Sequence, residues 1–431
     1  METTKVTLYD NTVAERRILD NGLKLVTQVV KNGCAAICCA VKTGSNYDPQ
    51  NLQGISHFAE HMVFRGTATR SGVEVVDTLD EHGARWNAAT FDGHTECTIT
   101  MPKKSLLPVA DVLHDILFYS DFGPRKTQLE KNIILAEMRK SHDDADIMLE
   151  ENLFKRLYST HPIRNSAYGT KEGMDAITRD DLIAYHSAFY TPNNTVLAVV
   201  GDFNGDEVSA LEELFSKPDK KELPAVQVYH EPFLNGKFVH EVPSDFEEVY
   251  VGIGMHLRKD AEFLNGSADN VAMNVFNTLL CDTGDDRPTS SRLYRRIREQ
   301  KGLLYRINSK INTGPGYGHL IIDFPASKEE NEKIIALVFE EIDKLGKEEV
   351  GSAELSKVKN FIISCDTLDN SNYDSRAESF AEMEAVKKDG LERTANFHER
   401  VSAVTSADIM RVAKEYLRPE NHVIVKLLPN N

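Results

Sequence analysis

Ala176-Ile177-Thr178-Arg179-Asp180-Asp181-Leu182, followed by Phe189-Tyr190-Thr191-Pro192-Asn193-Asn194-Thr195-Val196, is a pattern the chain uses twice. It returns as Ala403-Val404-Thr405-Ser406-Ala407-Asp408-Ile409 and Tyr416-Leu417-Arg418-Pro419-Glu420-Asn421-His422-Val423. Both stretches align without gaps at an offset of 227 residues (404 minus 177, and 419 minus 192). An offset of about half the 431-residue chain describes a duplicated domain rather than a solenoid. Each copy reads alike: a Thr caps a helix with Asp in its first turn, a Pro-Asn or Pro-Glu-Asn turn follows, then a strand, Val196 to Val200 or Val423 to Leu427.

Between the copies lies Lys217-Pro218-Asp219-Lys220-Lys221-Glu222-Leu223-Pro224, charged, with two prolines and no apolar period, which reads as a linker. The expected division is an N-terminal domain over 1–216, a linker over 217–232 and a C-terminal repeat over 233–431. Leu23 to Val30 and Ala35 to Val41 read as consecutive strands, a hairpin-type pair. Leu106 to Ser120 and Leu129 to Lys140 read as helices in succession. Strands followed by helices, without βαβ alternation, predict an α+β fold. Each half is expected to be a mostly antiparallel sheet with helices packed on one face.

Composition bounds the function. Hydrophobic residues make up 41% of the chain, enough for a core in each half. A formal net charge of -17 argues against a nucleic-acid partner and permits basic ligands, although a solvated acidic surface explains it equally well. The sequence has no basic N-terminal region leading into an apolar stretch and no apolar run long enough to span a membrane. With six scattered cysteines, this predicts a reducing, cytoplasmic setting. Cys34, Cys38 and Cys39 suggest a metal cluster at first sight. On a strand, however, adjacent side chains point to opposite faces, which favours core thiols.

The chemistry is concentrated in His57-Phe58-Ala59-Glu60-His61. Two histidines four apart on a helix share one face a turn apart, in position to hold one metal ion. Glu60 projects beside that face, in the inverted order of the zincin motif. The parts are two nitrogen ligands and a carboxylate base. Ser56 or Gln53 is expected to start this helix and Gly66 to end it. The motif alone is also compatible with a surface helix bearing two unliganded histidines. A third ligand is needed; Glu137, polar within the apolar helical stretch Ile133 to Met138, is the best candidate. Glu130, two turns earlier on the same face, is either the carboxylate that orients a ligand histidine or an exposed helix residue.

These residues carry a resemblance that runs nearly end to end. Asn21-Gly22-Leu23, Gly44-Ser45, Gly54 to Thr67, Gly83 with Asn87-Ala88-Ala89-Thr90, Glu130 with Glu137, Tyr190 to Asn194, Gly201-Asp202, Ser291-Arg292-Leu293, Arg298-Glu299 and Gly302 to Tyr305 match. The sequence resembles the pitrilysin and mitochondrial processing peptidase family of inverted zinc metalloendopeptidases, in a short two-domain form. The resemblance implies that His57, His61 and Glu137 bind Zn2+ and that Glu60 activates a water for attack on a peptide carbonyl. It implies that Arg298 and Tyr305, from the half without a zinc motif, donate hydrogen bonds to substrate. It also implies that Asn87 and Ala88 lie on an edge strand to which substrate adds as a further strand; read alone, that segment is an ordinary strand entry. Two departures stand out. Trp86, the only tryptophan, occupies a place where a small residue is expected. The loop Thr283 to Ser290 is charged, where a Gly-rich turn is usual.

The resemblance further implies a peptidase chamber, half of which one chain would form. Because the chain holds both the zinc set and the Arg298/Tyr305 pair, a homodimer is expected. Unfolded peptides or leader segments are the expected substrates, and the acidic balance weakly favours basic ones. Two rival readings stand beside it. One is a non-catalytic or partner-dependent subunit of a processing peptidase; against it, no element of the zinc set is lost. The other is a zinc lyase of the autoinducer-synthesis type, disfavoured by Glu137 and the repeat.

Overall fold

A computed structural model of the chain describes residues 2–225, 227, 229–257, 268–281, 290–387, 389–417 and 419–430. Residues 282–289 fall outside these, and with them most of the Thr283 to Ser290 loop. The chain forms two units, each built from three segments: Met1–Met138, Asn165–Gln227 and Asp366–Phe397 in the first, Arg139–Arg164, Val228–Cys365 and His398–Asn431 in the second.

The first unit holds a seven-stranded sheet. Its strands are β1 (Glu2–Thr7), β2 (Val13–Ile18), β3 (Lys24–Val29), β4 (Cys34–Val41), β5 (Arg85–Thr90), β6 (Thr95–Pro102) and β7 (Thr195–Gly201). Their order is β1-β2-β3-β7-β4-β6-β5, antiparallel except for the β3–β7 pair. The hairpin expected of β3 and β4 does not form, because β7 lies between them. All seven residues of β7 are buried, so a central position with a partner on each side is the one that satisfies both its side chains and its backbone. The β3–β4 connection arches over its end: Val30 N–H donates to Gly201 C=O at 2.7 Å and Asp202 N–H to Cys34 C=O at 2.7 Å. Gly201 has φ +142, and a Cβ there would lie 2.4 Å from the Cys34 carbonyl oxygen.

One face of this sheet carries Leu25, Ile37, Cys39, Cys97, Ile99, Leu197 and Val199. Against it pack α1 (Ile55–Val63), α2 (Gly72–Glu81), α3 (Leu106–Phe118), α4 (Pro124–Ser141), α6 (Arg179–Phe189) and α7 (Gly205–Phe215), through residues such as Phe58, Met62, Leu79, Leu113, Ile134, Leu182 and Leu211. The other face, with Val26, Ala36, Cys38, Ala40, Ala198 and Val200, is also covered. Ala377, Phe380, Ala381 and Ala385 of α10 (Tyr373–Val386) lie on it, brought from far along the chain. Helices thus cover both faces of this sheet, not one as expected. Cys38 and Cys39 sit on opposite faces, as strand alternation requires.

The second unit repeats the design. β8 (Lys237–Ser244), β9 (Val249–His256), β10 (Asn308–Gly314), β11 (Tyr317–Ala326) and β12 (His422–Pro429) form a sheet in the order β10-β11-β9-β12-β8. That is the order β5-β6-β4-β7-β3 of the first sheet, with the parallel pair, β12–β8, in the equivalent place. Leu149, Leu153 and Leu157 of α5 (Ala145–Leu157) pack on Val423, Val425, Leu427 and Ile321. The helix sits close enough that a Cβ on Gly252 would lie 3.1 Å from Leu149 and one on Gly254 3.2 Å from Leu153. Among the remaining helices are α8 (Ala268–Leu280), α9 (Asn331–Lys347) and α11 (Ser406–Tyr416), which pack on one another.

The repeat is visible atom by atom. Thr178 and Asp181 close a capping box at the start of α6, and Thr405 and Asp408 close the same box at α11. β7 and β12 begin at residues 195 and 422, the same 227 apart. α5 and α10 begin at 145 and 373, 228 apart (373 minus 145), so they are equivalent helices of the two repeats. Each lies on the sheet of the other half, a reciprocal exchange that a linear division at 217–232 does not contain.

Candidate metal centre

The site is built on the first unit. α1 begins at Ile55, with Gly54 as its cap residue at φ +96. Neither Ser56 nor Gln53 supplies the capping oxygen. Asp48 does, its carboxylate accepting from Gly54 N–H at 2.7 Å and Ser56 N–H at 3.1 Å. The acceptor comes from six residues upstream, across a turn that spacing along the helix does not reveal. The buried stripe of α1, with Ile55, Phe58, Ala59, Met62 and Val63, presses on the sheet and aims His57, Glu60 and His61 along one edge of the helix.

The Nε2 atoms of His57 and His61 lie 3.1 Å apart. Glu137, on α4, places Oε2 3.5 Å from His61 Nε2, and one donor atom from each of the three residues falls within 4.8 Å of the others. On the described residues this is the one such cluster of histidine, cysteine or carboxylate groups. The fit to zinc can be tested on the nitrogens. Tetrahedral ligation at about 2.0–2.1 Å separates donors by roughly 3.3 Å, close to what is seen. Glu130 accepts a hydrogen bond from His61 Nδ1 at 2.9 Å, which leaves a lone pair on Nε2. That lone pair lies 3.1 Å from His57 Nε2, where it can accept a proton-mediated bond or turn to a cation placed between the two rings.

The electrostatics agree. Burial, then the nearby His61, lowers His57 to a pKa of about 3, so it is neutral and able to ligate. Burial works against a proton on His61, but Glu130, Glu60 and Glu137 outweigh it and raise its pKa; the same field favours a cation. Burial pushes the Glu60 carboxyl above its usual range, opposed by His61 and by Thr90, whose Oγ1 donates to Glu60 at 3.1 Å. Such a carboxyl is suited to take and hold a proton. Glu130 is 2% exposed, not the exposed helix residue that its position alone allows. It also accepts from Arg65 at 2.6 and 2.8 Å. Burial opposes its ionisation, but the bonds from His61 and Arg65 prevail and hold it below the ordinary carboxylate range.

Asn87 and Ala88 lie on β5, the last strand of its sheet, hydrogen-bonded among the described residues to β6 alone. Trp86 is accommodated by stacking on Phe64, with centroids 4.5 Å apart and planes at 17°. Arg298 and Tyr305 belong to the second unit. Arg298 is exposed on the short π-helical segment Tyr294–Glu299, its guanidinium 4.9 Å from the Tyr294 ring centroid, and Tyr305 is 57% exposed in the loop before β10. No local signal in the sequence points to Asp48, Arg65 or Thr90. Arg65 and Thr90 lie inside the matching stretches, but their partners are set by tertiary contact.

The fold and site define a two-repeat α+β protein with an inverted histidine–carboxylate cluster in one repeat. Two family descriptions match the chain, "Insulinase (Peptidase family M16)" over residues 26–171 and "Peptidase M16 inactive domain" over residues 176–362. The chain belongs to peptidase family M16. The first match contains all of His57, Glu60, His61, Glu130 and Glu137; the second contains Arg298 and Tyr305. The chain is similar to an uncharacterized zinc protease, YmxG, of Bacillus subtilis, 27% identical over 348 residues, 80% of this chain and 81% of that one. It is also similar to a probable mitochondrial-processing peptidase subunit beta of Arabidopsis thaliana, 24% identical over 426 residues, 95% of this chain and 77% of that one. The fold is shared with a protease from Helicobacter pylori (TM-score 0.87, 22% identity, 97% of this chain and 100% of that one). It is shared too with a putative M16-like peptidase from Alicyclobacillus acidocaldarius (TM-score 0.86, 20% identity, 99% and 100%). No helix among the described residues is long and apolar enough to cross a membrane.

Proposed function

We infer that the chain is a zinc-dependent endopeptidase acting on unfolded peptides or leader segments. The observation that carries this is the convergence of His57, His61 and Glu137 beside a buried Glu60. These three residues would hold Zn2+, which when bound supplies Lewis-acid polarisation and acidifies a water. Glu60 takes the proton of the attacking water and returns it to the leaving amine. Glu130 keeps the His61 proton on Nδ1 and so keeps Nε2 available. Arg298 and Tyr305 act as hydrogen-bond donors to substrate, and the free edge of β5 at Asn87 and Ala88 receives the peptide as an added strand. A peptide held through backbone bonds must be extended, which favours unfolded substrates. The net charge of -17 favours basic ones. Two copies of the chain closing a chamber is the assembly this reading favours.

The test is cleavage of a quenched fluorescent peptide library by the unaltered chain and by Glu60→Gln, with zinc content assayed in both. Loss of cleavage by at least about 100-fold with zinc retained is the expected result. Zinc bound by the unaltered chain without cleavage would instead assign it to a non-catalytic or partner-dependent subunit.

A further inference from the structure

The two ligand histidines are held differently. His61 has its second ring nitrogen anchored by Glu130, whereas Nδ1 of His57 is buried with no hydrogen-bond partner among the described residues. A metal-ligating imidazole ordinarily owes its orientation to a hydrogen bond on its other nitrogen. In place of one, His57 meets an aromatic ring: Tyr168 stands edge-to-face against it, with centroids 5.3 Å apart and planes at 87°.

Tyr168 is not free to drift. Its N–H donates to Ser166 Oγ at 3.3 Å, and the next residue, Gly169, has φ +81 and donates to Ser166 C=O at 2.9 Å. The loop is in backbone contact with the first turn of α1. A Cβ on Gly54 would lie 2.8 Å from the Tyr168 carbonyl oxygen, and one on Gly169 would lie 2.3 Å from the Gln53 carbonyl oxygen. Side chains at these positions would force the two segments apart, so the glycines let one junction position both rings.

We propose that Tyr168 is a positioning residue for His57, its ring doing by edge-to-face packing what Glu130 does for His61 by hydrogen bonding, and that it thereby sets the affinity of the site for zinc. The physical basis is geometric: such packing favours one orientation of the imidazole plane and so keeps Nε2 aimed between His61 and Glu137. This rests on the reading of His57, His61 and Glu137 as zinc ligands.

The experiment is a zinc titration of the full chain against a chromophoric chelator, for the unaltered protein and for Tyr168→Phe, Tyr168→Leu and Tyr168→Met. It is run well below the melting temperature of each metal-free variant, so that reduced stability alone moves no Kd. Tyr168→Phe, which keeps the ring, is expected to bind within about twofold of the unaltered chain. Tyr168→Leu and Tyr168→Met, which fill the space without a ring, are expected to bind about tenfold more weakly. Zinc affinity in both aliphatic variants equal to that of the unaltered chain overturns the proposal. So does an equal loss in Tyr168→Phe, since the hydroxyl would then be responsible. If the unaltered chain and His57→Ala carry the same zinc content, the reading of the ligand set itself fails, a result distinct from either of these.

Discussion

At the scale of the residue, the site works through pairs whose members answer for one another. Glu130 is buried and bonded to His61 and to the partly exposed Arg65, so removing its charge loosens the hold on the His61 ring. Glu130→Gln is expected to weaken zinc binding by about 10- to 100-fold while sparing the fold, read by chelator competition alongside the metal-free melting temperature. Arg298 and Tyr305 are exposed, so Arg298→Ala and Tyr305→Phe are expected to leave zinc content and melting temperature unchanged. If they donate to substrate as proposed, kcat/KM falls about 10-fold or more in each. Unchanged kinetics in both would remove them from the site.

At the scale of the element, the caps and loop anchors stand apart from the chemistry and are open to separate test. Thr178 and Thr405 each close a capping box, so Thr178→Ala and Thr405→Ala are each expected to lower stability by about 1 kcal/mol in urea unfolding. Glu231 accepts backbone N–H bonds from Ser159, Thr160 and His161 at 2.6, 2.8 and 2.8 Å, tying down the turn after α5. Burial opposes its ionisation, but these bonds prevail and lower its pKa to about 2. A carboxylate depressed in the folded state adds stability above its unfolded pKa of about 4.3, and that stability is lost as pH falls through about 2. Glu231→Gln is therefore expected to be less stable than the unaltered chain at pH 7, by about 1 kcal/mol after screening by solvent. The difference should close between about pH 5 and pH 2. A gap that persists at pH 2 would place its origin elsewhere.

At the scale of the whole molecule, the exchange of α5 and α10 makes the halves of the chain mutually dependent. Without α10, the face of Val26, Ala36, Cys38, Ala40, Ala198 and Val200 lies bare. Phe380, 1% exposed, fills it, and Phe380→Ala is expected to destabilise the chain by about 3–5 kcal/mol, measured by denaturant unfolding. A fragment of residues 1–227 is expected to be insoluble or to lack near-ultraviolet dichroism from Trp86, and to recover both on co-expression with 228–431. A fragment that is soluble and rigid alone would show that the exchanged helix is dispensable.

Much of this was legible in the chain itself, because the properties concerned are local. Duplication shows as a repeated string, and the helical period alone puts His57 and His61 on one face. The Thr178 and Thr405 caps follow from side chains three residues from their targets. Glu137 stands out in the sequence as a carboxylate among apolar residues, yet its side chain is 39% exposed, and its place beside His57 and His61 is a tertiary contact. What the chain could not declare is which distant segments meet. The insertion of β7 between β3 and β4, the cover supplied by α10 and Tyr168 against His57 are contacts between residues far apart in sequence. Each depends on packing that buries a whole face at once, and an apolar strand such as Val196 to Val200 is equally apolar wherever it pairs. Tertiary structure alone decides its neighbours.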